Sequence, residues 1–267
     1  MSGEIKSALG ILAGEGALPH QVTQYCIEND IPVCAVLFEG CSYVDDFSNI
    51  PTHQTRIEKV GSVFKFFKRN NVTDVVMIGN LSRPEILSLR PDWQGIKTLI
   101  KIARVFSKGD DALLTTLRSE IELQGFTVRG VDYYLNDLTS DPKCLTRTTC
   151  AIDLTFAVME TLRHGQADKG QAVLIHCDDS FSYEQRQGTR HLIETYGRKG
   201  SILIKAMKPQ QDPDLDRPTV GLQTLKTLKE NNCAGLVVEA DAVFMINKGE
   251  MISYANENEM FIEVINV

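Results

Sequence analysis

Between Lys205 and Gly221 the chain reads Lys-Ala-Met-Lys-Pro-Gln-Gln-Asp-Pro-Asp-Leu-Asp-Arg-Pro-Thr-Val-Gly. Lys205 and Lys208 are cations that can neutralise a phosphate. Asp212 and Asp216 are carboxylates that can hold a divalent cation or orient water. Gln211 and Thr219 stand among them as further substrate-binding candidates. The segment is longer than a connection requires, and Pro209, Pro213 and Pro218 restrict it. Long ordered loops in compact domains are often functional. The plainer reading is a solvated charged loop with Thr219 capping the next helix.

Other segments carry weaker chemistry. Gly14-Glu-Gly16-Ala-Leu-Pro19 follows an apolar run. Such glycines let backbone N–H groups approach an anion, and the next helix adds its positive end. The spacing is G-x-G-x-x-P rather than the dinucleotide G-x-G-x-x-G, and a tight turn explains it equally well. Glu39 sits where a ribose-binding acid would stand, so a nucleotide-dependent oxidoreductase is an alternative. In Gly79-Asn-Leu-Ser-Arg-Pro84, Asn80 can read a polar head group and Arg83 can pair with a phosphate. Equally, Ser82 can cap a helix with Pro84 in its first turn. Asp110 and Asp111 can bind Mg²⁺ through water, but fit better as a helix cap and a dipole complement. Glu239 ends an apolar run and faces either a cleft or solvent. The five histidines have no zinc spacing, and neither a P-loop nor a G-x-S-x-G elbow occurs.

These residues need a scaffold, and apolar runs alternating with amphipathic stretches supply one. Strands are predicted over 7–13, 31–38, 75–78 and 126–131, and helices over 18–29, 63–70 and 111–124. That series begins a doubly wound, Rossmann-like parallel sheet. Its near-continuous apolar strands suit a sheet covered on both faces. Residues 131–143 are polar, and a domain boundary is placed there, giving a Rossmann-like domain over 1–135 and an α/β domain over 145–267. In the second domain strands are predicted over 171–177, 201–206, 235–240, 243–246 and 261–267. Helices are predicted over 152–163, 183–197 and 220–231.

Composition narrows the class. The 267 residues are 43% hydrophobic and 24% charged, enough for a substantial core. A formal net charge of -7 argues against a general nucleic-acid binder. Seven cysteines without C-x-x-C spacing, and no basic-then-apolar start, suggest reduced thiols in the cytoplasm.

Read in order, these segments resemble the LpxI-type UDP-2,3-diacylglucosamine pyrophosphatases of bacterial lipid A synthesis. The resemblance rests on Gly10-Ile-Leu-Ala-Gly14-Glu-Gly16-Ala-Leu-Pro19, on Gly79 with Arg83-Pro84, and on Gly109-Asp110-Asp111. It continues through Gly170-Gln171-Ala172-Val173, Lys205, Lys208-Pro209, Gln211-Asp212, Asp216, Pro218-Thr219 and Val238-Glu239-Ala240. Gln187 and Arg190 depart from an acidic E-x-x-E-G-T-D stretch, and Gly14-Glu15-Gly16 departs from a triple glycine.

The resemblance implies a Mg²⁺-dependent attack of water on the α-phosphorus of UDP-2,3-diacylglucosamine, giving UMP and 2,3-diacylglucosamine 1-phosphate. It implies Asp216 as the essential acid and Asp212 as second choice, with Glu239 as a further metal ligand. Gly14, Gly16, Asn80, Arg83, Lys205, Lys208, Gln211 and Thr219 are expected to bind substrate. A UDP-linked diacyl lipid further implies an apolar crevice between the domains and transient contact with the inner-membrane surface, and it allows a homodimer. The departures at Gln187 and Arg190 give an alternative: a lipid-nucleotide binding protein of the same fold with weakened catalysis.

Overall fold

The computed structural model describes residues 8–41, 47–80, 92, 110–150 and 153–267. Two compact units divide the chain, 1–136 and 137–267.

The first unit is built on β1 (Ala8–Ala13), α1 (Leu18–Glu28), β2 (Val33–Phe38), β3 (Thr52–Thr55), α2 (Val60–Arg69), β4 (Val72–Ile78), α3 (Asp110–Glu122) and β5 (Thr127–Val128). All its strand pairs are parallel, in the order β3-β2-β1-β4-β5. This is the expected Rossmann-like sheet, with β1 and β4 meeting where the strand order reverses. Leu9, Ile11, Ala35, Val36, Val75 and Val76 are wholly buried. Gly10 makes room for an aromatic: a Cβ there would lie 2.8 Å from Phe67 Cε1. Phe67 meets Phe126 edge-on at 5.8 Å, and Phe126 stacks on Phe64. Burial pushes the Cys26 and Cys34 thiols up to about 12, so they pack as small apolar groups. Strand β3 was not expected, because Thr-His-Gln-Thr has no apolar run; it is an edge strand paired only with β2. The strand expected over 126–131 shrinks to two residues, followed by a 3₁₀ turn over Val131–Tyr133.

The second unit contains β6 (Lys143–Cys144), α4 (Thr155–Gln166), β7 (Ala172–Ile175), β8 (Phe181–Tyr183), α5 (Gly188–Tyr196), β9 (Ile202–Lys205), β10 (Thr219–Val220), α6 (Leu222–Glu230), β11 (Gly235–Glu239), β12 (Phe244–Met245), α7 (Lys248–Glu257) and β13 (Phe261–Ile265). Its main sheet has the order β6-β13-β11-β9-β7-β8. Strands β9, β11 and β13 run parallel, while β6, β7 and β8 are antiparallel to their neighbours. The two-residue period sorts its side chains onto two faces. Leu203, Leu236 and Val238 pack with Leu192, Leu225, Leu228 and Met251 from α5, α6 and α7. Ile204 and Val237 pack with Leu154, Ala157 and Val158 at α4. No local pattern marks helix α7 or strands β6, β8 and β10: α7 has only Met251 and Ala255 fully inward, and the three strands are two, three and two residues long. Thr219 lies in β10 and does not cap α6, whose N-cap is Gly221. Among the described residues no helix is long and apolar enough to cross a membrane.

Two features give tests of this fold. At the ends of β1 and β4 the backbones touch. A Cβ on Gly79 would lie 2.6 Å from the Gly14 carbonyl carbon, and the Gly79 φ is +92°. Gly16 also has a positive φ, +109°, but faces open space. Gly79→Ala should therefore cost at least about 2 kcal/mol, and Gly16→Ala about 1 kcal/mol, in urea unfolding. Equal losses would contradict the packing.

His176, 5% exposed, lies between Ser201 Oγ at 2.7 Å and Ser182 Oγ at 2.9 Å. Burial first, then the Arg198 charge, holds its pKa below the ordinary 6.5, against a smaller opposite pull from Asp178. The unfolded chain therefore takes up this proton more readily. Stability should fall as pH drops from about 6.5 through the depressed folded value. His176→Asn should flatten the slope of chemical stability between pH 7.5 and 5.5. An unchanged slope would remove His176 from it.

Candidate active site

Strand β9 ends on Lys205, 7% exposed although it is a lysine. An amine so placed has lost its water and must be compensated by the protein. Lys205 Nζ donates to Thr189 Oγ1 at 3.1 Å and to the Thr219 carbonyl at 2.9 Å. Burial lowers its pKa, opposed by the charges of Glu184 and then Asp216. Thr189 passes the interaction on, donating its hydroxyl to Glu184 Oε1 at 2.6 Å. The other Glu184 oxygen accepts the Gln171 N–H at 2.6 Å. Two of the three lysine N–H donors are thus committed, with two carboxylates close by.

The topology explains the convergence. Strand β7 is antiparallel to β9, so its start, Ala172, is paired with Lys205. Strand β8 is antiparallel to β7, and Glu184 continues the pairing through its N–H to the Ala172 carbonyl at 3.0 Å. Strand β11 is parallel to β9, which sets Glu239 one residue beyond the Val238–Lys205 pair. Reversed strands therefore bring one strand start and three strand ends to one edge.

The loop after Lys205 is closely pinned. Glu239 Oε2 accepts the Met207 N–H at 2.7 Å, and burial raises the Glu239 pKa despite that bond. Lys208 Nζ pairs with Asp168 at 2.9 Å, and Gln210 Nε2 donates to the Gly165 carbonyl at 2.9 Å. Gln211, 5% exposed, donates its amide N–H to Asp216 Oδ2. Asp212 Oδ1 accepts the Asp214 N–H at 3.0 Å, while the Asp212 carbonyl accepts those of Leu215 and Asp216. Lys205, Gln211, Asp216 and Thr219 thus gather in one neighbourhood. Lys208, Asp212 and Glu239 shape the loop around them. Thr219 contributes its carbonyl, since its hydroxyl donates to the Arg217 carbonyl at 3.2 Å.

The first unit holds a separate group. The Gly14 N–H goes to the Ile78 carbonyl at 2.8 Å; Glu15 and Asn80 exchange N–H···O bonds of 2.8 and 2.9 Å. Gly14 and Asn80 are therefore neighbours at the strand-order reversal, where open sheets place ligands. The Gly14 and Glu15 N–H groups are taken by backbone, so the glycine at 14 serves close packing against Gly79. Arg83 lies outside the described residues, as do Ser82, Pro84 and Gly109. Asp110 and Asp111 begin α3.

Residues absent from the sequence-based site are Gln171, Glu184 and Thr189. Their signal was present in Gly170-Gln171-Ala172-Val173 and in Glu184-Gln-Arg-Gln-Gly-Thr189. What was lacking was the strand reversal that seats them beside Lys205. Gln171 Oε1 is buried without a hydrogen-bond partner among the described residues.

Among the described residues no group of three or more His, Cys, Asp or Glu could hold a metal ion. Asp212, Asp216 and Glu239 accordingly form no closed protein cage. The carboxylates present would suit Mg²⁺ only in an open mode, in which one or two of them hold the ion and water or phosphate oxygens complete its shell.

Thr189→Val should strand a lysine N–H and a glutamate oxygen together, costing about 1–3 kcal/mol. Thr189→Ser should retain most of the stability. Unfolding curves that place valine and serine variants together would show that the hydroxyl relay carries no load.

Against known proteins, residues 8–138 match the LpxI N-terminal domain and residues 142–263 the LpxI C-terminal domain. The chain is 27% identical over 270 residues to the UDP-2,3-diacylglucosamine pyrophosphatase LpxI of Caulobacter vibrioides, covering 95% of this chain and 96% of that protein. With both family domains matched in order, and the segments behind the motif resemblance in the second unit drawn together around Lys205, the chain belongs to the LpxI family.

Proposed function

We propose that this protein hydrolyses the pyrophosphate of UDP-2,3-diacylglucosamine to UMP and 2,3-diacylglucosamine 1-phosphate, by attack of water on the α-phosphorus with Mg²⁺ present. The observation that carries the reading is the buried Lys205 at the meeting point of five separated segments. The full-length similarity to a relative of that name supports it. A pyrophosphate needs its charge masked and its attacking water aligned. Lys205 has an N–H donor left for a phosphate oxygen. Asp216, held by Gln211, orients the water or shares the metal with the substrate, and Asp212 is the second candidate. Mg²⁺, when bound, supplies positive charge to the pyrophosphate. The acyl chains of the substrate bring the protein to the inner-membrane surface for access.

Two alternatives lose ground on specific observations. The dinucleotide reading needs free N–H groups in the glycine turn, and those of Gly14 and Glu15 bond to backbone carbonyls. The weakened-binder reading rests on Gln187 and Arg190. Gln187 is exposed at the start of α5, and Arg190 pairs with Glu194 at 2.9 Å on the surface. Neither makes a hydrogen bond to the Lys205 network, whereas Glu184 and Thr189 of the same stretch do.

Incubating the pure protein with UDP-2,3-diacylglucosamine and Mg²⁺ should release UMP and a lipid monophosphate, identified by phosphorus NMR. Binding without release would overturn the hydrolase reading in favour of the binder. Asp216→Asn should lower kcat by at least about 100-fold with a smaller change in KM, as expected for a group acting mainly in the transition state. A folded Asp216→Asn protein with near-normal kcat would move the role to Asp212.

A further inference from the structure

A cavity of about 670 Å³ lies beside the Lys205 network, and Glu184 belongs to both. Its carboxylate faces Thr189, while its backbone carbonyl accepts the His164 Nε2–H at 2.8 Å. That bond fixes the imidazole, which lies tilted against Tyr183 with ring centroids 5.1 Å apart. Gly170 lets the chain pass between them, since a Cβ there would lie 2.9 Å from both His164 Nε2 and Glu184 Cβ.

Three cations and two carboxylates stand in the lining, Asp168 and Glu184 being the acids. Arg163, Lys169 and Arg186 all line the cavity. Arg163 is engaged with Glu160 at 2.7 Å. Lys169 and Arg186 make no ion pair among the described residues. Asp168 pairs with Lys208, and the Glu184 carboxylate is taken by Thr189 and the Gln171 N–H. A lysine and an arginine in no ion pair beside an aromatic pair therefore offer a site for a phosphate joined to a flat ring. The volume is in the usual range for small-molecule sites. Ala167 and Tyr183 are the apolar residues of the lining, and the other seven are charged or polar.

We infer that this cavity binds the nucleoside monophosphate end of the substrate, with Lys169 and Arg186 holding phosphate and the Tyr183–His164 pair against the base. The choice of uridine rests on the pyrophosphatase reading. The cavity's own chemistry specifies only a nucleoside phosphate. Glu184 then links nucleotide binding to the position of Lys205, because the same residue is wall to one and anchor to the other.

Calorimetric titration with UMP tests this, with inorganic phosphate and decyl phosphate as comparison ligands. Lys169 and Arg186 are exposed, so the Lys169→Ala/Arg186→Ala protein should fold normally, which circular dichroism checks. The unmodified protein should bind UMP more tightly than either comparison ligand. The double variant should lose about tenfold or more in UMP affinity. Tyr183→Leu should weaken UMP binding but leave inorganic phosphate binding unchanged. UMP binding no tighter than inorganic phosphate overturns the inference, and so does equal UMP affinity in the double variant. A protein that hydrolyses the lipid nucleotide yet shows either result keeps its proposed activity and loses this site. A protein that binds UMP through these residues yet releases no lipid phosphate keeps the site and loses the proposed activity.

Discussion

A lysine amine withdrawn from water at the end of β9 sets the terms for the second unit. Burial makes its charge costly, and the surroundings answer with a hydroxyl, a carbonyl and two nearby carboxylates. Each partner comes from a different segment: Thr189 from α5, Thr219 from β10, Glu184 from the end of β8, and Asp216 from the loop. A network of this kind rigidifies only when every member is satisfied. That constraint explains why so many polar side chains around Lys205 have defined partners, and why the Gln171 oxygen, which has none among the described residues, stands out.

The sheet geometry makes the network possible. Parallel strands alone would send every strand end to one edge and every start to the other. In the second unit β7 reverses, so its start joins the ends of β8, β9 and β11. The loop over 206–218 is then tied to this edge from two sides, by Glu239 to Met207 and by Gly165 and Asp168 to Gln210 and Lys208. In the first unit the arrangement is simpler. All strands are parallel, and the ends of β1 and β4 press together through two glycines with no side chain between them.

The opposite edge of the second sheet shows a different use of polar burial. His176 follows β7 and is bracketed by two serine hydroxyls, while Asp178 receives a hydrogen bond from Arg198. Hydrogen bonds from Ser180, together with the Arg198 interaction, pull the Asp178 pKa down to about 2 despite opposing desolvation. The two edges of one sheet thus separate a structural polar cluster from a candidate catalytic one.

The sequence by itself determined the fold class, most element positions and the list of segments that matter. Apolar runs such as Val33–Phe38 and Gly235–Glu239 announce strands because their faces must both be covered, and glycine turns mark their ends. The elements it hid are those with little hydrophobic signal: β3, β6, β8, β10 and α7 owe their place to neighbours rather than to local pattern. The loop from Lys205 to Gly221 was legible as chemistry from its residue types. Only the tertiary structure decided which of those groups point together. Strand direction is a long-range property that no local spacing encodes, and it put Glu184 and Thr189 beside Lys205. It also assigned Thr219 through its carbonyl, and gave Gly14 to packing rather than to an anion, because the partner backbone at Gly79 lies 65 residues away in the chain.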